Sequence, residues 1–445
     1  MFTTMKPTDV HGTLRKHMLV DGLDLVFDLK RSQGAYIYDS QHGRRFLDFF
    51  SFFATQPVGL NHPRLVEPAF KERMAEIAIH NPTNSDVYTV EMAEFVDTFD
   101  RVAIPKELPH LFLVAGGTVA VENALKTAFD WKVRKNMARG RGEPGATGTK
   151  VIHFREAFHG RTGYSISMTN TADPRKTMYF PKFDWPRIDN PKLFFPLGTR
   201  LEEVMEAETR AVAQIEKAIA DNPDDVAALI IEPIQAEGGD NHFRPEFLRR
   251  LRELAFEHEF LFIVDEVQTG VGLTGKMWAY QHFGFVPDVL VFGKKTQVCG
   301  ILAGARVDEV DKNVFHESAR INSTWGGNLV DMVRFGRYLE IIEAEKLVEN
   351  ARDVGSYLLS ELEKLSSEYP DRVSNARGRG LMCAFDLADG GTRDRFRRLA
   401  FEHGLLILGC GPRSIRFRPT LSVTRSDVDQ AFHIIRRILP LLAHP

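Results

Sequence analysis

The chain has 445 residues, 43% of them apolar, with 57 basic and 60 acidic side chains and a formal net charge of −3. That length exceeds one ordinary core and implies two or more structural units. The near-balanced charge, spread along the sequence, excludes the electrostatic footprint of a nucleic-acid or lipid-surface binder, so small or neutral partners are expected. Cys299, Cys383 and Cys410 lie far apart and form no C-x-x-C or Cys/His cluster, which argues against a disulfide framework and a structural zinc site; no metal is expected. The opening stretch MFTTMKPTDVHGTLRKHMLV lacks an apolar run of signal-peptide length. No window reaches the roughly 18 apolar residues of a membrane span, so a cytoplasmic protein that touches no membrane is expected.

From about residue 110 to 310, short apolar runs alternate with helical patterns: LFLV at Leu111, VIHF at Val151, ALIIEPI at Ala228, LFIVDEV at Leu261, VLVF at Val289 and ILAGARV at Ile301. Runs that are apolar without alternation mark strands covered on both faces, which predicts an α/β unit with a central, mostly parallel sheet flanked by helices. After the first run, Thr118 to Lys135 is a predicted helix with Val121, Leu125, Ala128 and Phe129 on one face and Glu122 paired with Lys126. RGRGEPGATGTK, Arg139 to Lys150, reads as an exposed loop. Beyond Gly327 the pattern changes to two long helices, over about 328 to 346 and 349 to 368, then strands LMCAFDL, LLILGC and SIRFRPT, and a closing helix DVDQAFHIIRRILPLL. This predicts a smaller α+β domain. The expected division is an N-terminal segment, 1–60, that joins the small domain, a large domain over 61–327, and a small domain over 328–445.

In LFLVAGGTVAVENALK a strand leads through Gly116-Gly117-Thr118 into a helix. Glycines admit an anion close to the backbone, and free helix N–H groups and the dipole attract it. A plain turn capped by Thr118 explains the same letters, and the absence of Lys-Ser/Thr after the glycines excludes a Walker-type nucleotide loop. Phe158, His159, Gly160 and Arg161 form a turn after VIHF that, alone, reads as core packing. LFIVDEVQTGVGLTG ends a buried strand in Asp265-Glu266, at the sheet edge where open α/β folds place ligands, or as a solvated strand exit. Its Gly270–Gly275 matches G-x-G-x-x-G, but five residues, Asp265 to Thr269, separate strand from glycine, and Asp288 begins the next strand instead of ending it. That spacing argues against a dinucleotide site. VLVFGKKTQVCG stops a strand on Lys294 and Lys295, either a solvated exit or an amine held for chemistry. In SIRFRPT, alternation sets Arg416 and Arg418 opposite Ile415 and Phe417, a fork suited to a carboxylate or simply solvated. A strand-end amine, a neighbouring acid, a glycine-threonine cradle and an arginine clamp together meet the needs of pyridoxal 5′-phosphate.

Ala115-Gly-Gly-Thr118, Phe158-His-Gly-Arg161, EPIQAEGG, DEVQTG, the lysine strand and STWGGN follow one another in an order and spacing that resembles the class III, or ω-amino-acid, aminotransferases. The resemblance covers essentially the whole chain and implies the pyridoxal-phosphate-dependent fold type I, the aspartate-aminotransferase-like fold. It further implies that Asp265 binds the pyridine nitrogen, Val267 and Phe158 sandwich the ring, Gln268 bonds the phenolic oxygen, and Gly117 and Thr118 hold the phosphate. His159 joins these cofactor contacts, and Thr324 completes the phosphate cup from the partner subunit of a homodimer. In this family the Schiff-base lysine directly follows a small residue at the strand end, here Gly293, which selects Lys294; alternation then makes Lys295 a solvated or structural neighbour. KTQVCG after the lysine, GLTG where GRTG is usual, and IQAEGGDNHFRPEFL resemble the lysine 6-aminotransferase branch. That branch implies transfer of the 6-amino group of L-lysine to 2-oxoglutarate, yielding a 2-aminoadipate 6-semialdehyde that cyclises to piperideine-6-carboxylate. Glu237 would pair with Arg416 while lysine is bound and release it for the α-carboxylate of 2-oxoglutarate, and Arg161 would hold the distal carboxylate. Another ω-aminotransferase, of ornithine or 4-aminobutyrate type, is the alternative within the family; a nicotinamide dehydrogenase or a non-catalytic protein of the same fold is the alternative outside it.

Overall fold

Strands that are apolar on both faces need cover on both, and the computed structural model, which describes residues 5–141 and 147–443, supplies it. Seven strands form the central sheet: β1 (His110–Val114), β2 (Lys150–Phe154), β3 (Arg187–Ile188), β4 (Val226–Ile231), β5 (Leu261–Asp265), β6 (Val289–Phe292) and β7 (Cys299–Ala303). Their order is β1-β7-β6-β5-β4-β2-β3. Every neighbouring pair from β6 to β3 is parallel, while β7 runs antiparallel to both β6 and β1. All six predicted runs are strands of this sheet. The seventh, the two-residue β3 at the edge, is too short to leave a pattern.

Helix α1, Gly117–Ala138, covers one face. Val121, Leu125, Ala128 and Trp131 pack against Val114, Ile263, Val291 and Ile301. On the other face Phe247, Leu248 and Leu251, from the helix Pro245–Glu257, join Phe262, Leu290 and Phe292. The predicted Glu122–Lys126 pair is replaced by a longer reach: Glu122 Oε1 accepts from Thr162 Oγ1 at 2.6 Å and from the Ser165 N–H at 3.0 Å. The predicted loop at Arg139–Lys150 falls largely on 142–146, outside the described residues. The glycines of Gly270–Gly275 serve packing. A Cβ on Gly270 would lie 2.5 Å from the Trp278 ring, and one on Gly275 would lie 2.9 Å from Arg352 Cβ.

The C-terminal part holds a four-stranded antiparallel sheet of β8 (Ser374–Arg379), β9 (Met382–Asp386), β10 (Leu408–Cys410) and β11 (Ser414–Phe417), in the order β8-β9-β11-β10. β8 went unpredicted because SNARGR carries no apolar signal. The run LLILGC, read as one strand, divides: Leu408–Cys410 stays in this sheet, and Leu405–Leu406 leaves it to pair in parallel with Arg44–Asp48 near the N-terminus. Arg44–Asp48 pairs in turn with Tyr36–Asp39.

Charge joins the two sheets' surroundings. Arg418, just past β11 and fully buried, donates to both Asp240 oxygens, at 2.9 and 2.5 Å. Arg377 on β8 donates to the Asp240 carbonyl at 3.0 Å and pairs with Asp386 at 2.9 Å. Breaking a buried pair strands the remaining charge, at a cost of about 3–5 kcal/mol, whereas replacing both partners by apolar groups is far milder. Arg418→Met is therefore expected to lower the melting temperature and urea midpoint more than Arg418→Met combined with Asp240→Leu. A double variant as unstable as the single one would show that the pair acts through shape instead of charge.

Candidate active site

The strands β1, β2, β5 and β6 run parallel, so their carboxyl ends open onto one edge, the edge where such sheets bind ligands. Each delivers one component there.

From β6 comes the lysine turn. Lys294 adopts φ +55°, a left-handed backbone that non-glycine residues seldom take. A Cβ on the preceding Gly293 would stand 3.1 Å from Cys299 Sγ and 3.5 Å from the Gly117 Cα, so the small residue lets the lysine turn approach the head of α1. Burial, the largest influence, lowers the Lys294 pKa; Asp265 and Glu232 oppose the shift, and Arg416 and Arg418 add to it. Lys295 is buried, not solvated, and its Nζ donates to the Gln268 carbonyl at 2.7 Å. The structure thus turns Lys294 towards the site's charges and spends Lys295 on bracing the loop after β5.

From β5 comes Asp265. Its Oδ1 accepts the Val267 N–H at 3.0 Å, and its Oδ2 lies 2.8 Å from His159 Nδ1. The imidazole is buried and its Nε2 has no partner, while the backbone N–H of His159 donates to Thr169 Oγ1 at 3.0 Å. Glu232, at the end of β4, accepts from the Phe158 and Ala236 N–H groups at 2.9 and 3.1 Å, pinning the His159 turn; burial pushes its pKa up to about 7. Sequence reasoning quoted Glu232 within EPIQAEGG without giving it a task, and nothing in the letters separates a carboxylate that anchors a turn from one that touches ligand.

From β1 comes the cradle. Gly116 has φ +100° and no side chain caps α1, so the N–H groups at the head of a 22-residue helix stay free of a side-chain cap. Thr118 Oγ1 lies 2.7 Å from Ser165 Oγ and 3.0 Å from Thr162 Oγ1. Gly160, at φ +125°, is obligatory: a Cβ there would sit 2.1 Å from Thr118 Oγ1. Val267 Cγ1 lies 3.2 Å from where a Cβ on Gly117 would be, which sets an apolar wall against the cradle. Phe158 and Val267 are both half-buried. Gln268 Nε2 donates to the Phe53 carbonyl at 3.3 Å. Thr324 is exposed, in a segment tied to Asn84 and Ser85 through the Trp325 and Ser323 carbonyls.

The arginines separate in role. Arg161 is exposed, its guanidinium 5.7 Å from the Phe158 ring centroid. Arg418 is consumed by Asp240, which leaves Arg416 as the available arm of the predicted fork. No ion pair joins Glu237 to Arg416. Glu237 Oε1 bonds Lys176 Nζ at 2.5 Å and Thr171 Oγ1 at 2.8 Å, while Glu237 Oε2 and Arg416 Nε are buried without partners. Lys176 and Thr171 escaped sequence reasoning because they sit in a loop without periodicity, more than sixty positions before Glu237. Away from this edge, His110, Asp308 and His316 bring ligand atoms within 4.8 Å of one another at the surface, where His110 Nε2 already bonds the Asp308 carboxylate.

An uncapped helix head beside Thr118 suits a phosphate, the buried carboxylate of Asp265 suits a protonated ring nitrogen, Val267 and Phe158 suit the ring faces, and the Lys294 amine suits an aldehyde. The residues present fit pyridoxal phosphate at each of its functional groups.

The description Aminotransferase class-III matches residues 19–439. The L-lysine-epsilon aminotransferase of Mycobacterium bovis is 52% identical over 437 residues, covering 98% of this chain and 96% of that one. The protein of the same description from Streptomyces clavuligerus is 50% identical over 429 residues, covering 96% and 93%. The structure of a lysine aminotransferase from M. tuberculosis in the internal aldimine form superposes with a TM-score of 0.96 at 51% identity, covering 98% of this chain and all of that one. With its lysine, aspartate and anion cradle gathered at one sheet edge, and with matches that run almost end to end, the chain belongs to the class-III aminotransferases, pyridoxal-phosphate-dependent enzymes of fold type I.

Proposed function

We propose that the enzyme transfers the 6-amino group of L-lysine to 2-oxoglutarate, forming glutamate and 2-aminoadipate 6-semialdehyde, whose own α-amine closes on the aldehyde to give piperideine-6-carboxylate. The near-full-length likeness to enzymes named for the ε-amine of lysine carries this reading, and the charge pattern of the site supports it.

When bound, pyridoxal phosphate supplies an electrophilic carbon for the incoming amine and a sink for the electrons that deprotonation releases. The protein's share is positioning and proton handling. Lys294, its ammonium disfavoured by burial, is placed to take a proton from the carbon that bears nitrogen and to return it. Asp265 presents a carboxylate to the ring nitrogen, held in place by His159 and the Val267 N–H. Gly117, Thr118 and the head of α1 would hold the phosphate, Val267 and Phe158 would confine the ring, and Gln268 would bond the phenolic oxygen.

The two substrates place their charges differently. Lysine enters through an uncharged carbon chain and needs no cation beside the reacting carbon, whereas 2-oxoglutarate carries a carboxylate there. Arg416 serves that carboxylate, Glu237 screens Arg416 when lysine occupies the site, and Arg161 holds the distal carboxylate of either substrate. Thr324 belongs to the phosphate cup of a neighbouring subunit in a homodimer; its exposure, and that of Trp325 and Tyr88, supports a covering partner. The proposed domains are 1–60 with 328–445, and 61–327, a division supported by the pairing of Arg44–Asp48 with Leu405–Leu406. Three free cysteines, all buried, support residence in the cytoplasm, and among the described residues no helix is long and apolar enough to cross a membrane.

Borohydride treatment of the cofactor-loaded enzyme is expected to leave the pyridoxyl label on Lys294, read by peptide mass; a label on Lys295 would refute the assignment. With lysine as donor, the product should have the mass of the cyclised imine. Release of the α-keto acid of lysine would sink the ω-specific reading, and faster turnover of ornithine or 4-aminobutyrate would move the enzyme to another branch. Glu237→Ala should raise reactivity towards glutamate relative to lysine by roughly tenfold or more, the equivalent of a charge-assisted hydrogen bond of about 1.5–3 kcal/mol. Equal slowing of both would make Glu237 structural.

A further inference from the structure

A carboxylate works as a switch only if it has two places to rest. Moved off one cation with no second partner, Glu237, whose side chain is only 21% exposed and whose Oε2 is already buried without a partner, would be left poorly paired, which is disfavoured. Arg416 is one resting place in the reading above. The structure contains the other: Lys176 Nζ stands 2.5 Å from Glu237 Oε1, and Thr171 Oγ1 donates to the same oxygen at 2.8 Å. Neither residue belongs to a motif of the site.

The two cations differ in how they tolerate being left. Arg416 is 6% exposed and buried among side chains, so it needs an anion from the protein or from substrate. The side chain of Lys176 is 26% exposed, and water can take over when Glu237 departs. Its backbone is firmly placed, in the short turn Pro174–Lys176, where Asp173 accepts the Arg175 N–H at 3.2 Å and pairs with the Arg175 guanidinium at 2.9 and 3.0 Å. A partly exposed ammonium bonded to Glu237, and a buried guanidinium whose charge Glu237 also feels, give one carboxylate a partner at each of two places.

We propose that Lys176, assisted by Thr171, is the second seat of Glu237: it holds the carboxylate away from Arg416 while 2-oxoglutarate is bound and thereby sets the enzyme's choice of acceptor. Lys176 is then a specificity-determining residue that touches neither the cofactor nor the reacting carbon. This inference rests on the proposed screening of Arg416 by Glu237.

The test follows the two half-reactions separately, by the absorbance of the bound cofactor in single turnovers, for the holoenzyme and its variants. In Lys176→Met, Glu237 loses its seat and stays on Arg416, so KM for 2-oxoglutarate should rise roughly tenfold, the scale of one charge-assisted hydrogen bond. The lysine half-reaction should stay within about twofold of wild type, since it uses Glu237 on Arg416 anyway. Lys176→Arg should restore the wild-type KM. Thr171→Val, which leaves every charge in place, should shift KM in the same direction by less, and it reads the seat even if Lys176→Met is unstable. Added to Glu237→Ala, Lys176→Met should have no further effect. Equal damage to both half-reactions, or an additive effect in the double variant, would overturn the proposal. If Glu237→Ala alters the preference for glutamate over lysine while Lys176→Met and Thr171→Val leave KM for 2-oxoglutarate unchanged, the seat is wrong and the screening stands. If Glu237→Ala alters nothing, the screening falls and the seat falls with it.

Discussion

An ion withdrawn from water must meet an opposite charge or a set of hydrogen bonds, and the buried turn Gly238-Gly239-Asp240 shows how far this requirement shapes the enzyme. Asp240 is gripped by Arg418, and the carbonyls of Gly239 and Asp240 by Arg377, so three groups of this turn are fastened to two arginines at the C-terminal sheet. The two residues proposed to choose substrate are attached to this clamp. Glu237 comes three positions before Asp240, its carbonyl accepting the Gly411 N–H at 2.7 Å, and Arg416 comes two positions before Arg418, on the same face by strand alternation. A locked pair therefore anchors the two segments that carry Glu237 and Arg416.

The same requirement, met unequally, gives Asp265 and the two lysines their characters. Asp265 receives an imidazole and a backbone N–H, enough to hold a carboxylate still while leaving room for a third contact. Burial lowers the pKa of both lysines, and further for Lys295, while Lys294 also meets the mixed charges of Asp265, Glu232, Arg416 and Arg418. Lys295, one residue on, finds the Gln268 carbonyl. Two adjacent lysines of identical chemistry are thus told apart by what stands within hydrogen-bond reach, and the left-handed backbone at Lys294 is the local device that separates them.

Much of this was legible in the letters. Six apolar runs yield six strands because burial on both faces demands them, and the lysine, the aspartate and the glycine cradle declare themselves by standing at strand ends. What stayed hidden has a common cause: contacts that link distant segments through polar side chains have no period. Glu122 reaches Thr162 instead of Lys126 because a neighbouring turn, absent from any helical wheel, offers better donors. Arg416 and Arg418 look equivalent in SIRFRPT, and only Asp240 distinguishes them. Ser374–Arg379 forms a strand because an apolar partner strand at Met382–Asp386 needs an edge, not because SNARGR prefers one.

The antiparallel strand β7 has a bearing on how the enzyme is born. The cradle strand β1 pairs with β7 alone, through Val114 with Cys299 to His110 with Ala303, and so cannot enter the sheet before residue 303 exists. On a ribosome, where the chain emerges from its N-terminus, nearly two hundred residues of synthesis separate the cradle from the strand that docks it, and the lysine turn arrives just ahead of that strand. The glycine loop at the head of α1 and the lysine turn therefore come together in one late event, and a ribosome-bound fragment ending before β7 would carry that loop on a strand without a partner in the sheet.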